Sequence, residues 1–297
     1  MYINIERRFF ILTKILYGKN ITDFYADKMK KEIEDLELKP TLAIIVAKDC
    51  SKASSIYVKN KYNFADKIGI KVLQYDVEWE NKSKEELEEH LTFLITNLNN
   101  ASNIHGIIVQ LPFPLVDENY ISNLISPLKD VDGFTINNLG ALMRNEEGLY
   151  SCTPLGAMKL LEYYNIKVEG KICCVVGRSN ILGKPLTNLL INKGGTVISC
   201  NSKTKDLKAM TKQADIVFLA VGKAMFDKTY FKKDAIVIDF GMNRNSENKL
   251  CGDLIVDNVQ DVLSAYTPCP GGTGLLTVMS LMLNTIEACK KQLNFRN

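Results

Sequence analysis

The chain has 297 residues, of which 46% are hydrophobic and 24% are charged, and its formal net charge is +3. This length exceeds that of most single-core domains, so we predict two domains in a globular protein. The small net charge argues against a nucleic-acid surface, and no apolar run is long enough for a signal peptide or a membrane span, so we expect a cytoplasmic protein without nucleic-acid or membrane partners.

The cysteines and histidines limit the chemistry that the chain can perform. Its 8 cysteines show no C-x-x-C spacing, and several lie in apolar, strand-like runs, which is typical of reduced, buried thiols. Only 2 histidines are present, so neither a histidine-rich metal site nor a histidine-based triad is expected. We therefore predict a reducing compartment and no metal.

The first half of the chain alternates predicted helices and strands. Periodicity and capping residues predict helices over 22–37, 53–68 and 83–98 and strands over 41–46, 71–77 and 106–110. Gly69 follows the second helix as a stop, and Ser83 with Glu86 forms a capping-box pattern. This alternation favours a parallel α/β sheet, and a proline-rich loop beginning at Gln110 leaves the strand end where such sheets bind ligands.

A phenol and an amine lie four residues apart on the second predicted helix. At that spacing Tyr57 and Lys61 are neighbours on one helical face and could act as a pair. A second such pair, Tyr163 and Lys167, shows that the spacing alone does not define a site. An amphipathic helix with a solvated lysine is the simpler interpretation unless other motifs support a site.

Two carboxylates lie in the turn-rich stretch 127–134. Asp130 could simply cap a turn, whereas Asp132, beside Gly133, could accept hydrogen bonds from N–H groups of a ligand. A helix with Pro154 in its first turn follows and runs to about residue 164. We place the change of domain at the start of this helix.

The second half opens with the arrangement of a nucleotide-binding fold. A strand over 171–176, a glycine-containing turn over 177–185 and a helix from Leu186 would direct backbone N–H groups at a phosphate. A plain surface turn is the alternative. The next predicted strand, 196–200, is followed by no acid before Asp206.

The residues around this strand end indicate which dinucleotide binds. In dinucleotide folds an acid here usually binds the ribose 2′-hydroxyl of NAD. Arg178, Ser202 and Lys203 would instead suit a 2′-phosphate, so the charges favour NADP. Further strands are predicted over 215–221 and 235–239.

A loop poor in side chains precedes the last predicted helix. Residues 267–274 are rich in proline and glycine and lead into an apolar helix over 276–289. Because the loop has little side-chain bulk, a flat ligand could lie against it.

Together these motifs resemble those of one family from about residue 13 to residue 289. The sequence is similar to the bifunctional methylenetetrahydrofolate dehydrogenase/cyclohydrolase family, often called FolD. The motifs that carry the resemblance are Tyr57-x-x-x-Lys61, Gln110-Leu111-Pro112, the KDVDG stretch 129–133, Cys152-Thr153-Pro154, Gly177-Arg178-Ser179 and residues 267–272. The chain departs from the family pattern at Asn63, Asn201, Thr273 and Leu275, and residues 1–12 have no counterpart.

The resemblance implies a two-domain α/β homodimer with a folate cleft between the domains. It implies a catalytic folate domain at 1–147 plus 275–297, a Rossmann-like NADP domain at 148–274, and a C-terminal helix that returns to the first domain. The implied catalytic residues are Lys61, Tyr57, Gln110 and Asp132. The implied NADP-binding residues are Gly177, Arg178, Ser179, Ser202 and Met242. The implied substrate-binding residues are Tyr57, Gln110, Leu111, Asp132, Pro268, Gly271 and Gly272.

The implied reactions give these residues roles. Oxidation moves a hydride from 5,10-methylenetetrahydrofolate to NADP, and hydrolysis of the resulting methenyl cation gives 10-formyltetrahydrofolate. Lys61, with its pKa lowered by burial, could take a proton from the attacking water while Gln110 holds the amine. Tyr57 could orient the ring, and Asp132 could accept from its N–H groups.

Three alternatives differ from this hypothesis. A short-chain dehydrogenase also uses Tyr-x-x-x-Lys, but there the glycine motif precedes the pair, whereas here Gly177 follows it. A dehydrogenase without the hydrolase activity would have the same fold, and retention of Lys61 argues against it. A non-catalytic folate- or NADP-sensing protein would be favoured by loss of Lys61, Gln110 or Asp132, and all three are present.

Overall fold

The computed structural model describes residues 13–49, 52–257 and 259–294. In that part of the chain the strands are β1 (Lys14–Ile15), β2 (Thr41–Ala47), β3 (Lys71–Val77), β4 (Gly106–Val109), β5 (Ile172–Val176), β6 (Thr196–Cys200), β7 (Ile216–Leu219), β8 (Ala235–Asp239), β9 (Asn243–Arg244), β10 (Leu250–Cys251) and β11 (Leu263–Tyr266). The α-helices are α1 (Gly18–Asp35), α2 (Lys52–Ile68), α3 (Lys84–Asn100), α4 (Glu118–Leu124), α5 (Ile136–Met143), α6 (Cys152–Tyr163), α7 (Gly183–Asn192), α8 (Leu207–Thr211) and α9 (Leu276–Asn294).

The first unit is built on a parallel sheet with the strand order β3-β2-β4. Its central strand is an apolar run that is buried on both faces, as expected for a parallel sheet covered by helices. Leu42 and Ile44 belong to the core shared with α1 and α9. Ala43 and Ile45 face the other way and pack with the apolar side of α3. The alternation of the strand therefore divides the apolar residues between two cores.

The ends of α2 and α3 are set by the residues that the sequence indicates. Gly69 follows α2 with φ +88°, a conformation that glycine adopts without strain. The backbone N–H of Glu86 donates to the Ser83 hydroxyl, and its carboxylate accepts from the Ser83 N–H, so the predicted capping box is present.

The second unit is a parallel sheet with the order β1-β11-β8-β7-β5-β6. The chain leaves β5 to form β6 on one side and then returns to form β7 on the other. This reversal creates a crevice at the carboxyl ends of β5 and β7, which is where open α/β sheets bind ligands.

Both ends of the described chain cross between the units. Strand β1 pairs with β11 in the second sheet, and the Gly18 N–H donates to the Gly271 carbonyl at 2.8 Å. The predicted first domain, 1–147, therefore includes two residues that extend the other sheet. Helix α9 returns to the first unit, where Met279, Met282 and Ile286 are buried in the same core as α1. No helix among the described residues is long and apolar enough to span a membrane.

The predictions of two elements in the second unit were wrong at their ends. Helix α7 begins at Gly183, although the sequence placed its start at Leu186. Pro185 lies in the first turn of the helix. N–H groups there have no carbonyl acceptor within the helix, so a proline, which lacks an N–H, is tolerated. Strand β7 covers Ile216–Leu219, whereas 215–221 was predicted, because the following residues turn away to bond with a buried carboxylate.

Candidate active site

A lysine and a glutamine meet where α2 passes the end of β4. The Lys61 amine donates to Oε1 of Gln110 at 2.7 Å. The Gln110 amide nitrogen donates to the Leu111 carbonyl at 2.9 Å, which fixes the orientation of the amide. The backbone N–H of Gln110 donates to the Ile45 carbonyl at 2.8 Å, so this residue extends the sheet ladder. The acceptor for the amine is thus held by main-chain contacts.

The two carboxylates after β4, those of Asp130 and Asp132, differ in burial and in hydrogen bonding. Asp130 is buried and accepts from the backbone N–H groups of Gly133 and Thr135 and from the Asn138 amide, at 2.8 to 2.9 Å. It is the turn-capping residue. Asp132 is only partly buried and interacts electrostatically with Lys61. The carboxylate that remains available to a ligand beside the lysine is therefore Asp132.

Burial is the main electrostatic influence on this cluster. It lowers the pKa of the Lys61 amine, and the nearby Asp132 and Cys152 oppose that effect. Burial also raises the pKa of Asp132, an effect that the Lys61 charge opposes. The Cys152 thiol is fully desolvated beside Asp132, and its pKa is raised well above the usual value. The site therefore contains an amine that loses its proton more easily than a lysine in water.

Tyr57 connects this cluster to the second unit. It lies one turn before Lys61 on α2, and its side chain is 44% exposed. Its hydroxyl is 3.8 Å from the Met242 sulfur, which belongs to the loop after β8. Tyr57 and Met242 were predicted on the folate side and the cofactor side, and the structure places them face to face across the cleft.

The turn after β5 has the geometry of a dinucleotide phosphate site. A Cβ on Gly183 would lie 2.2 Å from the Gly177 carbonyl oxygen, so α7 approaches the strand end as closely as backbone allows. Gly177 has φ +134°, and a Cβ there would lie 2.5 Å from the Ala220 carbonyl oxygen. The Ser179 hydroxyl accepts from the N–H groups of Leu182 and Gly183, and its carbonyl accepts from the Lys184 N–H, so the first N–H groups of α7 are bonded within the turn. The close approach of the backbone and the positive end of the α7 dipole therefore fit a phosphate that lies against the turn before this helix.

The carboxyl ends of β5 and β6 place basic and hydroxyl groups side by side. Arg178, Ser202 and Lys203 are all exposed there. Asp206 is directed away from this region, because its carboxylate accepts from the Ala209 N–H at 2.9 Å and caps α8. No carboxylate follows β6 closely enough in the sequence to occupy the position of the NAD-binding acid.

The glycine-rich loop after β11 packs against the beginning of α1. A Cβ on Gly18 would lie 1.9 Å from the Gly272 carbonyl oxygen, and one on Gly272 would lie 2.4 Å from the Pro268 carbonyl oxygen. The backbone therefore packs too closely at Gly272 for any side chain to fit. Gly271 is exposed with φ +102° and Pro268 is partly buried, so both leave part of their surface open beside this loop.

Comparison with known proteins identifies the family. Residues 16–132 match the family model described as the tetrahydrofolate dehydrogenase/cyclohydrolase catalytic domain, and residues 151–293 match that of its NAD(P)-binding domain. The chain belongs to the tetrahydrofolate dehydrogenase/cyclohydrolase family. The predicted family, the two-domain α/β fold and the returning C-terminal helix are thereby confirmed.

Relatives of this family member match along almost their whole length. Bifunctional protein FolD of Agathobacter rectalis is 43% identical over 286 residues, which cover 94% of this chain and 100% of the relative. The crystal structure of the bifunctional FolD enzyme of Campylobacter jejuni is similar with a TM-score of 0.88 and 38% identity, covering 94% of this chain and 99% of that one. The FolD of Trypanosoma brucei, solved with NADP cofactor and an inhibitor, gives a TM-score of 0.85 with 28% identity, covering 95% and 99%.

Proposed function

We propose that this protein oxidises 5,10-methylenetetrahydrofolate to 5,10-methenyltetrahydrofolate with NADP and hydrolyses the product to 10-formyltetrahydrofolate. The observation that carries the proposal is the Lys61–Gln110 contact of 2.7 Å beside Asp132, in a chain whose second unit has a close-packed turn between β5 and α7. Membership of the family supports both activities, and the Trypanosoma brucei relative supports NADP as the cofactor.

Substrate binding requires groups that recognise the pterin and hold its reactive carbon near Lys61. The Asp132 carboxylate accepts hydrogen bonds from the amino and ring N–H groups of the pterin. Tyr57, exposed on the face of α2 above Lys61, stacks on the ring and orients it. Leu111, Pro268 and Gly271 contribute the surrounding apolar and backbone surface.

Dehydrogenation is chiefly a matter of positioning. Bound NADP supplies the acceptor for the hydride that leaves the bridging carbon. The turn between β5 and α7 would hold the phosphates, favoured by the positive end of the α7 dipole, and Arg178 with Ser202 and Lys203 would bind the 2′-phosphate. Met242, which touches Tyr57 across the cleft, borders the space between the two reactants. The chain removes no proton from the substrate in this step.

Hydrolysis requires a base, because the attacking water must lose a proton. The water oxygen bonds to the methenyl carbon, and one of its protons passes to the neutral Lys61 amine. The carbon–nitrogen bond that closes the ring then breaks as the new hydroxyl loses its proton and the departing nitrogen gains one, which leaves the formyl group. The proton held by Lys61 is released to solvent as the net proton of the reaction. Desolvation favours the neutral amine. The Gln110 Oε1 atom accepts one N–H and so orients the lone pair toward the water.

A Lys61→Met variant tests this function. The substitution keeps most of the side-chain stem but removes the amine, so hydrolysis should fall by about a hundredfold or more while dehydrogenation falls less. A spectrophotometric assay with 5,10-methylenetetrahydrofolate and NADP would show the methenyl intermediate accumulating. Lys59→Met, on an exposed position of the same helix, is the matched control. An equal loss of both activities would show that Lys61 acts on binding and not as a base.

The proposed assembly is a cytoplasmic homodimer. Strand β6 is an edge strand of the larger sheet, and most of its residues are exposed or half-buried. A second copy of the chain could pack against this edge and cover its unpaired backbone groups. Light scattering during gel filtration measures the mass in solution, and a monomeric mass at micromolar concentration would contradict this assignment.

A further inference from the structure

Two buried carboxylates lie outside the site described so far. Asp239 ends β8, and Asp253 follows β10. Asp253 is fully buried and Asp239 is 3% exposed, and neither belongs to a salt bridge between described residues. Their carboxylate oxygens instead accept hydrogen bonds from donors in the loops at the carboxyl edge of the sheet.

Asp253 holds the loop that follows β7. Its Oδ2 atom accepts from the N–H groups of Val221 and Gly222 at 2.7 and 3.2 Å, and its Oδ1 atom accepts from the Lys223 N–H at 2.8 Å. The Asn243 amide donates to Oδ1 at 2.9 Å. Successive N–H groups that converge in this way form an anion-binding nest, and here the anion is supplied by the chain itself.

Asp239 holds the loop that follows β8. Its Oδ1 atom accepts from the Gly241 N–H at 2.7 Å and from the Asp253 N–H at 3.1 Å, and its Oδ2 atom accepts from the Leu254 N–H at 2.8 Å. A Cβ on Gly241 would lie 2.3 Å from the Asp253 backbone nitrogen. The two loops are thus tied to each other through adjacent carboxylates, with no room for side chains between them.

Both loops face the part of the crevice where the reacting end of the dinucleotide must lie. In the proposed function the basic residues after β5 and β6 bind the 2′-phosphate, and the other phosphates lie against the turn between β5 and α7. A dinucleotide that spans the switch point then extends its other end over β7 and β8. Val221 is 39% exposed there, and Met242, which follows Gly241, is 56% exposed and touches Tyr57.

We propose that Asp253, supported by Asp239, is a positioning residue for hydride transfer. The two buried carboxylates fix the conformation of the loops after β7 and β8, which receive the nicotinamide end of NADP. This proposal rests on the proposed function. It assigns to Asp253 no contact with cofactor or substrate. Its consequence is that loss of the carboxylate should affect cofactor binding and dehydrogenation but not hydrolysis, which depends on residues of the first unit.

An Asp253→Asn variant tests the proposal. The amide has the same shape but directs an NH₂ group at backbone donors, so the nest loses an acceptor. We expect the dissociation constant of NADP, measured by calorimetry, to rise by about tenfold or more, and kcat/KM for NADP in dehydrogenation to fall in parallel. Decay of added 5,10-methenyltetrahydrofolate without NADP should stay within about twofold of the unsubstituted protein, whereas a general structural defect would lower both activities.

Two further variants make the result decisive. Asp257→Asn, at an exposed position, is the matched control. Asn243→Ala removes one donor to the carboxylate and serves if Asp253→Asn does not fold, with the same direction of change expected. Unchanged NADP binding in a folded Asp253→Asn or Asn243→Ala protein would overturn the positioning role. Because the calorimetric result does not depend on turnover, it stands even if the unsubstituted protein lacked one of the two activities.

Discussion

Replacing Gln110 with glutamate should selectively suppress hydrolysis. The substitution puts a negative charge at the acceptor that lies 2.7 Å from the Lys61 amine. Two unit charges about 4 Å apart attract by about 4 kcal/mol at an effective dielectric constant of about 20. This attraction favours the protonated amine and so raises the pKa of Lys61. The neutral fraction of the amine at pH 7 then becomes much smaller.

The expected result is a loss of hydrolysis by about a hundredfold or more at neutral pH, within the usual range for lost acid–base catalysis. The rate is measured as decay of added 5,10-methenyltetrahydrofolate, corrected for the reaction without enzyme. Dehydrogenation, measured as NADPH formation, should fall much less because it uses no base. Raising the pH should partly restore hydrolysis, since the amine again loses its proton.

Two controls separate charge from shape in this experiment. Gln110→Leu removes the acceptor without adding a charge, so its loss of hydrolysis should not recover at high pH. Gln213→Glu adds the same charge at an exposed position and should change neither activity. If Gln110→Glu hydrolyses the intermediate at the unsubstituted rate at pH 7, the assignment of Lys61 as a base held by Gln110 is wrong.

Four further predictions concern the cofactor, the pterin, pH and packing. NADP should be preferred over NAD by about tenfold or more, about 1.4 kcal/mol, and Arg178→Ala should reduce kcat/KM for NADP more than for NAD; equal efficiency with both cofactors would contradict this. Asp132→Ala should cost about 2 to 4 kcal/mol in folate-dependent kcat/KM with NADP binding little changed, and normal folate kinetics would place the pterin elsewhere. The hydrolysis rate should rise with pH as Lys61 loses its proton, at a pH below the usual value of 10.5, and a Lys61→Met protein should lack that rise. Gly183→Ala forces a Cβ into the space 2.2 Å from the Gly177 carbonyl and should cost about 1 to 3 kcal/mol, visible as a lower melting temperature; an unchanged melting temperature would show that α7 can shift freely.

Local sequence signals were sufficient where neighbouring residues decide the structure. Ser83 and Glu86 fix the start of α3 because the capping box is formed within four residues. Lys61 lies one helical turn after Tyr57 because both are on α2. The start of α7 was misplaced because the turn was predicted to extend to residue 185, whereas the helix begins at Gly183, whose N–H donates to the Ser179 hydroxyl.

Long-range contacts could not be predicted in the same way. Strand β1 has two residues and acquires its structure only by pairing with β11, far away in the sequence. Asp253 follows a short strand and carries no pattern of its own, since its donors are 10 to 32 residues away along the chain. The position of Cys152 beside Asp132 likewise depends on tertiary packing.

The return of α9 to the first unit has a consequence for how the chain is made. Translation delivers this helix after every strand of the second sheet, so the core around Ile21, Met29 and Leu42 remains open while the second unit is synthesised. The nascent first unit must keep an apolar surface accessible during that time, and it should depend on chaperones more than a domain formed from one continuous segment. A ribosome-bound chain that stops before residue 276 should therefore be cleaved readily by added protease within its first unit, whereas the released full-length protein should resist.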